Sequence, residues 1–317
     1  MIKAFTRSDG YIRSTVIDLE QLAELEARPL IWLDLVSPSH EELSAVEERL
    51  KIELPTRQES EEIEFSARFW EDDAGITINT YFLVKQPDKA HNETVSFALK
   101  DHFIVTIRFS DLRIFTEFSR KLVLNPSAFR DGAHVLSGIL DLRVEVDADI
   151  LEALSKEIVN IGRMDLKSFA DSSKFLEYIT SFEDINITIR ENLTDKQRVL
   201  SSLLKSGKIP EDLKKEFSMM IKDVNSLIIS ANFNFERLDY LQNLFLNYLS
   251  VEQNKVIKIF TVMSVIFLPP TLIASIYGMN FRHLPELELP YGYPLALTLI
   301  VISAVLPLYI FKRKGWL

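Results

Sequence analysis

Three consecutive residues, Gly278, Met279 and Asn280, interrupt an otherwise apolar part of the chain. Glycine lets the backbone turn and lets two chains approach closely, and asparagine offers an uncharged amide oxygen. A ring of such oxygens would hold a hydrated cation without binding it too tightly for release. Mg²⁺ suits this kind of site because it is small, octahedral and slow to lose its water. The three residues therefore predict a cation-selecting site, and Glu286 and Glu288 would add negative charge beside it.

A series of mostly polar side chains recurs every three or four residues in the segment before this site. Its members include Asn243, Asn247, Ser250, Asn254, Ile257, Thr261, Ser264, Leu268, Thr271 and Ser275. This spacing places them on one face of a helix, here called the polar face. Small hydroxyl residues also mediate ordinary packing between membrane helices, so that interpretation stays open. In a ring of parallel helices the polar face would line a narrow tube, and Ile257 and Leu268 would form apolar constrictions in it.

The elements that carry these residues are two uncharged runs of 23 residues each, Ile259–Phe281 and Leu289–Phe311. About 20 apolar residues cross a bilayer as a helix, so the runs predict two transmembrane helices joined by a short loop. No strong break precedes the first run, and we expect one continuous helix that leaves the cytosol and enters the membrane. Pro269 and Pro270 lie inside it and predict a kink or carbonyls without an intrahelical donor.

Charges beside the two runs set the expected orientation. The basic residues that flank the membrane segments are Lys255, Lys258, Lys312, Arg313 and Lys314. The connecting loop holds one arginine against two glutamates. Because lysine and arginine are enriched in cytoplasmic loops, both termini are predicted to be cytoplasmic and the loop to lie outside.

The remainder of the chain is acidic. Residues 1–254 hold 30 of the 36 lysines and arginines but 44 of the 46 acids, a net charge of −14. Such a charge disfavours nucleic acid as a partner and favours cations. The chain has no cysteine, which excludes disulfides and thiolate metal sites, and we expect a cytosolic bulk without a secretory signal.

Local patterns divide the acidic part into two regions. The runs WLDLV, ITINTYFLV, TVSFALK and HFIVTIRF predict strands, and Ser39 before a run of early acids predicts a helix start. Long helical patterns follow from about residue 145. We predict a cytoplasmic α/β domain over 1–140, a helical stalk over 141–255, membrane helices over 256–281 and 291–311, a periplasmic loop over 282–290 and a basic tail over 312–317.

Catalytic patterns are missing from the sequence. The five histidines are scattered without metal-ligand spacing, and neither GxxxxGK[ST] nor GxSxG occurs. We therefore expect a protein that is not an enzyme and does not pump with ATP.

Longer stretches resemble a known family. VEQNKVIKIF, VIFLPPTLIASIYGMNF, LPEL, GYP and the closing FKRKGWL are similar to the CorA family of divalent cation transporters. LPTRQESEEIE at 54–64 and ARFWEDDAG at 67–75 resemble stretches of its proteobacterial members. The resemblance covers essentially the whole chain.

The resemblance implies a funnel-shaped homopentamer in the bacterial inner membrane, which admits Mg²⁺ down its electrochemical gradient and also Co²⁺ and often Ni²⁺. It implies that Gly278, Met279 and Asn280 form the outer filter. By the same resemblance, polar rings fall at Asn254 and Thr271, the apolar constriction at Ile257, Phe260 and Leu268, and a basic belt at Lys312, Arg313 and Lys314.

The resemblance also implies closure by intracellular Mg²⁺ held between subunits. A stalk position that is aspartate in some members falls at Asn243. Candidate regulatory acids are Asp88, Asp223, Glu71, Asp72 and Asp73, although a solvated turn is the simpler interpretation of the last three. Two alternatives stay open: a zinc transporter of the same fold, and a membrane-anchored sensor or scaffold that does not conduct.

Overall fold

The computed structural model describes residues 1–60, 68–86, 89–163, 172–280, 285 and 289–315. The strands in these ranges are β1 Ile2–Ser8, β2 Tyr11–Ile17, β3 Leu30–Val36, β4 Phe69–Glu71, β5 Ile76–Lys85, β6 Ala90–Lys100 and β7 Phe103–Arg108. The helices are α1 Leu19–Glu24, α2 His40–Leu50, α3 Arg57–Ser60, α4 Arg113–Leu124, α5 Gly132–Ile161, α6 Ser172–Lys205, α7 Glu211–Tyr277 and α8 Gly292–Arg313.

The strands form one mixed sheet in the order β2-β1-β3-β7-β6-β5-β4. Only the β3–β7 pairing is parallel among the described strands, and the other neighbours are antiparallel. All four strands predicted from apolar runs are present, as are the helix that Ser39 caps and the long helices after residue 145. The α/β prediction is therefore confirmed.

Side chains alternate between the two faces of the sheet, as the period of two in a strand requires. One face packs Leu33, Leu35 and Val105 against α1 and α2, with Leu22 and Val46 buried between them. The other face is aromatic. There Trp32 stacks on Phe5 with ring centroids 4.2 Å apart and meets Phe118 of α4 at 5.7 Å. Both faces are thus covered by helices.

Charged groups are buried on the aromatic face. Asp34 of β3 and Arg108 of β7 form an ion pair of 3.0 Å, and Thr106 donates its hydroxyl to Asp34 at 2.8 Å. The Arg108 guanidinium lies 4.7 Å from the centre of the Phe115 ring. A buried pair of this kind is costly to break, because the remaining charge would have no counterion.

A second buried group joins α5, α6 and β5. Lys196 lies 3.0 Å from Asp147 and donates to the carbonyl of Tyr81 at 2.8 Å. Arg143 pairs with the same Asp147, one helical turn away. Burial lowers the pKa of the Lys196 ammonium to about 8, against the opposing attraction of Asp147. Helices α5 and α6 are therefore held against the sheet by paired charges as well as by apolar contacts.

The chain forms two compact units, Met1–Gln242 and Asn243–Leu317. Helix α7 contributes residues to both, and it is continuous for 67 residues, as the uninterrupted sequence pattern predicted. Helices α5 and α7 run through residues 140 and 255, and the domain limits drawn there stay predictions.

Candidate ion-conduction site

Among the described residues, two helices are long and apolar enough to cross a membrane, namely α7 in its C-terminal part and α8. None of the residues 246–277 of α7 is buried within the single chain. A soluble core helix would bury its apolar side. This segment therefore depends on lipid or on other chains to cover it.

The residues predicted to form the polar face all lie on α7 and are exposed. This holds for Asn243, Asn247, Ser250, Asn254, Ile257, Thr261, Ser264, Leu268, Thr271 and Ser275. Phe260, which only the resemblance assigned to the constriction, is exposed one position beside this face. Helical geometry with 1.5 Å per residue gives the face from Asn254 to Ser275 a length of about 31 Å, close to the hydrocarbon thickness. The polar face thus extends along the whole membrane-crossing part.

The threonine hydroxyls of this face bond within their own helix. Thr261 donates to the carbonyl of Ile257 at 2.8 Å, and Thr271 donates to the carbonyl of Phe267 at 2.7 Å. A hydroxyl that has donated its proton keeps lone pairs that can only accept. Water molecules bound to a cation point their hydrogens outward, so these oxygens are suited to accept from a hydrated ion.

Pro269 and Pro270 lie inside α7, which stays helical through them. Neither proline has an N–H, so the carbonyls of Val265 and Ile266 lose their usual donors. Carbonyl groups without an intrahelical donor are tolerated at membrane depth where protein or water satisfies them. The pair therefore adds two acceptors to the middle of the span, one turn before Thr271.

The predicted filter lies at the C-terminal end of α7. The helix ends at Tyr277, and the N–H groups of Gly278 and Met279 bond back to Ala274 at 2.9 Å and Ile276 at 3.2 Å. The last carbonyls of a helix carry partial negative charge, which favours a cation. Asn280 follows directly and is exposed. An exposed amide side chain thus follows the negative end of the helix directly in the sequence.

A side chain at Gly278 would contact the preceding helical turn. The φ of Gly278 is not in the left-handed region, but an added Cβ would meet the Ala274 carbonyl oxygen at 3.1 Å and the Ser275 oxygen at 3.6 Å. The first distance is tighter than most Cβ contacts, so the backbone there would have to move by a few tenths of an ångström. Gly278 therefore has a steric reason within its own chain, and close approach of another chain stays a prediction.

The basic residues end the second span. Lys312 and Arg313 form the last turn of α8, Lys314 follows as its C-cap, and all three are exposed. Cations at a helix C-terminus are favoured by the helix dipole. The cluster thus caps α8 electrostatically, and its predicted role as a belt stays a prediction.

The acidic cluster Glu71-Asp72-Asp73 lies at the end of β4 and in the β4–β5 connection, with Glu71 as the last residue of the strand. The Asp72 carboxylate accepts hydrogen bonds from the N–H groups of Ala74 at 2.8 Å and Gly75 at 2.9 Å. Asp72 therefore closes a turn, which is the simpler of the two interpretations of this cluster. A regulatory role for the three acids stays a prediction.

Asp223 is exposed on α7 and lines a cleft of about 290 Å³ that Asp141 and Glu216 also line. Within the described part of one chain, no three histidine or acidic residues converge to hold a metal ion. Asp88, Glu286 and Glu288 lie outside the described residues. The resemblance predicts a metal site whose ligands come from two subunits, and such a site would not be complete in one chain.

Sequence reasoning missed the buried charges of the first unit, Met1–Gln242, which is called the soluble unit below. Asp34 carried a visible signal, since it stands inside the apolar strand WLDLV, where a carboxylate needs a buried partner. Lys196 carried none, because α6 is amphipathic and a lysine on it is normally solvated.

Comparisons with known proteins agree with one another. A family model described as CorA-like Mg²⁺ transporter protein matches residues 28–313. The chain is 41% identical to the magnesium transport protein CorA of Wolinella succinogenes and 33% identical to that of Escherichia coli, in each case over 100% of both chains. Its fold is similar to that of the CorA magnesium transporter from Methanocaldococcus jannaschii, with a TM-score of 0.84, 22% identity, and coverage of 100% of this chain and 99% of the other.

Proposed function

The chain belongs to the CorA-like Mg²⁺ transporter family, and from that premise we propose that it is a passive Mg²⁺ channel of the bacterial inner membrane. The observation that carries the proposal is the polar face of α7, whose threonine hydroxyls already donate within the helix and so offer acceptors outward. Hydrated Mg²⁺ is a ligand that such acceptors suit, since it keeps its water and presents hydrogen-bond donors.

The channel requires several copies of the chain. Two membrane helices do not enclose a path, and the polar face is uncovered in one chain. We propose a homopentamer in which five copies of α7 surround the path and α8 lies outside. The exposed oxygens then face a common axis, and the apolar side of α7 faces α8 and lipid.

The filter is proposed to be the ring of Gly278, Met279 and Asn280. Its amide oxygens would bind the ion through its water shell, at the negative end of five helix dipoles. Deeper in the membrane, Ile257, Phe260 and Leu268 would form apolar rings that dewet when the channel closes.

The driving force is proposed to be the membrane potential. With both termini in the cytoplasm, the filter faces outward, and a positive ion moves inward. Each elementary charge gains about 2.3 kcal/mol per 100 mV, so a divalent cation gains about twice that amount. This gain is sufficient for influx without ATP.

The proposal includes Co²⁺ and Ni²⁺ as further substrates.

The proposal also includes closure by intracellular Mg²⁺, which would bind between subunits at acids such as Asp88 or Asp223. If closure works in this way, Mg²⁺ should protect the soluble unit of the full chain against limited proteolysis. A concentration of about 20 mM Mg²⁺ is far above the dissociation constants of weak oxygen-ligand sites. Unchanged proteolysis up to that concentration would therefore contradict the closure mechanism.

The test of the main proposal is ion flux into liposomes that contain the purified protein, with Mg²⁺, Co²⁺, Ni²⁺ and Zn²⁺ compared under an inside-negative potential. We expect Mg²⁺ influx that the Asn280→Ala variant lacks. Zn²⁺ influx without Mg²⁺ influx would favour the zinc transporter. Absence of all flux from a correctly assembled protein would favour the sensor or scaffold.

A further inference from the structure

A cleft of about 420 Å³ in the soluble unit is rich in arginine, although the surrounding part of the chain is acidic. Three arginines contribute to it: Arg68, which precedes β4, and Arg190 and Arg198, which lie on α6. Tyr81 of β5 forms another part of the lining. A concentration of guanidinium groups in a region of net negative charge needs a physical reason.

Arg68 is held rigidly and is incompletely paired. Its side chain is 5% exposed, and its guanidinium carbon lies 4.0 Å from the centre of the Tyr81 ring. Its Nε faces Asp195 at 3.8 Å, whereas its Nη1 is buried without a hydrogen-bond partner in the described part of the chain. A buried donor without a partner destabilises the folded state, and more so when the group is charged, so an acceptor supplied from outside would be favoured there.

The acid beside Arg68 is already engaged elsewhere. Asp195 accepts a hydrogen bond from the hydroxyl of Thr80 at 2.6 Å and another from the N–H of Tyr81 at 2.9 Å. These two short bonds fix its carboxylate against β5, and its contact with Arg68 is the longest of the three. Asp195 therefore neutralises Arg68 in part, and it leaves the Nη1 of Arg68 without an acceptor among the described residues.

The two α6 arginines are exposed and available. Neither Arg190 nor Arg198 makes an ion pair with another described residue, and Thr194 lies between them on the same side of the helix. Eight residues of helix separate them by about 12 Å at the backbone. Their long side chains can therefore approach the two ends of one elongated anion. Glu191 is the remaining acid of the lining, and it is exposed to solvent.

We propose that this cleft binds an oligophosphate anion, such as the phosphate chain of a nucleotide. Guanidinium groups bind phosphate oxygens in pairs with a planar geometry that fits them better than a lysine would. The spacing of Arg190 and Arg198 favours a chain of phosphates over a single phosphate. The buried Nη1 of Arg68 would gain the acceptor that it lacks.

Calorimetric titration of the full-length protein in lipid nanodiscs tests this proposal, in buffer without Mg²⁺ because oligophosphates chelate it. The probes are tripolyphosphate, ATP and inorganic phosphate. We expect tripolyphosphate and ATP to bind at least about tenfold more tightly than inorganic phosphate, a difference of about 1.4 kcal/mol. Tighter binding of ATP would identify a nucleotide as the ligand, and equal binding would identify the free chain.

The Arg190→Ala/Arg198→Ala variant should weaken tripolyphosphate binding by at least about tenfold. Both side chains are exposed, so the fold should persist, and thermal unfolding without ligand checks this. The matched control, Arg113→Ala/Arg120→Ala on α4, removes the same charge from exposed positions outside the cleft and should bind normally. Arg68→Lys should weaken binding several-fold, since it keeps the charge but loses the planar fork.

Two results would overturn the proposal. One is wild-type affinity in the double variant. The other is no binding of tripolyphosphate at about 10 mM, because a site with several charged groups should bind a multiply charged ligand more tightly than that. Neither result involves ion flux, so the proposed transport function would stand or fall separately.

Discussion

The two units of the molecule differ in where their polar side chains lie, since the first buries many of them and the membrane-crossing part of the second buries none among the described residues 246–277. In Met1–Gln242, buried polar groups find partners on other elements, as Asp34 does on β7 and Lys196 does on α5 and β5. In Asn243–Leu317, the hydroxyls of Thr261 and Thr271 bond to their own helix and stay exposed. These two charges of the first unit are thus paired within one chain, whereas the Nη1 of Arg68 is an exception in the same unit. The second unit leaves a row of acceptors whose partners come from outside the chain.

Because of this difference, we expect removal of a polar side chain to have different effects in the two units. A polar side chain in the sheet holds neighbouring elements together, and its removal should affect stability. A polar side chain on the exposed face of α7 contributes little to the fold of one chain, and its removal should affect ion passage. Mutations that separate stability from transport therefore test the comparison.

The largest expected effect is on transport. Asn280→Ala should reduce Mg²⁺ uptake to the background of transport-deficient cells, at least about a hundredfold, because the filter loses its amide oxygens. Uptake is measured beside the amount of assembled protein in the membrane. Tyr291→Phe, at the exposed N-cap of α8, is the control and should transport normally. Normal uptake by Asn280→Ala would contradict the filter role.

The next effect is on stability. Arg108→Met should lower the free energy of unfolding of the soluble unit by about 3–5 kcal/mol, because Asp34 stays buried without its counterion. Chemical unfolding of the full chain, followed by the fluorescence of buried Trp32, measures it. Arg113→Met is the control, since Arg113 is 90% exposed, and it should change stability by less than about 1 kcal/mol. Equal losses from both variants would contradict the importance of the buried pair.

A smaller effect depends on pH. The pKa of Lys196 is lowered from 10.5 to about 8 in the folded chain. Between these values the unfolded chain binds more protons at this site, so its contribution to stability rises with pH. The free energy of unfolding of wild type relative to Lys196→Met should therefore increase across this window, by at most about 3 kcal/mol.

Denaturant titrations at a series of alkaline pH values measure this difference. Lys156→Met is the matched control, because Lys156 is 70% exposed and pairs only with the exposed Glu152 among described residues. The control should show no comparable increase. A wild-type advantage that falls as pH rises would contradict the burial of a charged lysine.

The smallest expected effect is within the membrane. Thr271→Val keeps the shape of the side chain but removes the oxygen, and should lower Mg²⁺ flux about fivefold, equivalent to about 1 kcal/mol. Ile273→Val, on the side of the helix opposite the polar face, should leave flux unchanged. Liposome flux compares the two at equal protein density, and equal behaviour would contradict the special role of the polar face.

Much of the fold could be predicted from the sequence, because β3, β5, β6 and β7 are runs of apolar residues. The β1–β2 hairpin was missed because its strands carry many polar residues. Its turn nevertheless has a recognisable pair, Asp9-Gly10, and both residues adopt positive φ, at 52° and 81°. Such a pair favours a tight hairpin and could have identified it.

The candidate site, which stays a prediction, rests on a different kind of signal. The polar face and the filter are local patterns along one helix, visible as spacing and as an interruption of apolar sequence. The buried contacts of Lys196 with Asp147 and Tyr81 join residues that are far apart in the sequence. No local pattern specifies such contacts, because they depend on how α5, α6 and β5 pack.

The most direct test of the central claim uses the absence of cysteine from the chain. Single cysteines at Thr261, Ser264, Thr271 and Ser275 are compared in membranes with single cysteines at Val262 and Ile266, which lie on the opposite side of the helix. The probe is a charged thiol reagent that requires water to react. We expect rapid labelling and block of Mg²⁺ flux at the four positions of the polar face, and slow labelling without block at the two apolar positions. Faster labelling at Val262 and Ile266, or equal labelling at all six, would contradict a water-filled path lined by this face of α7.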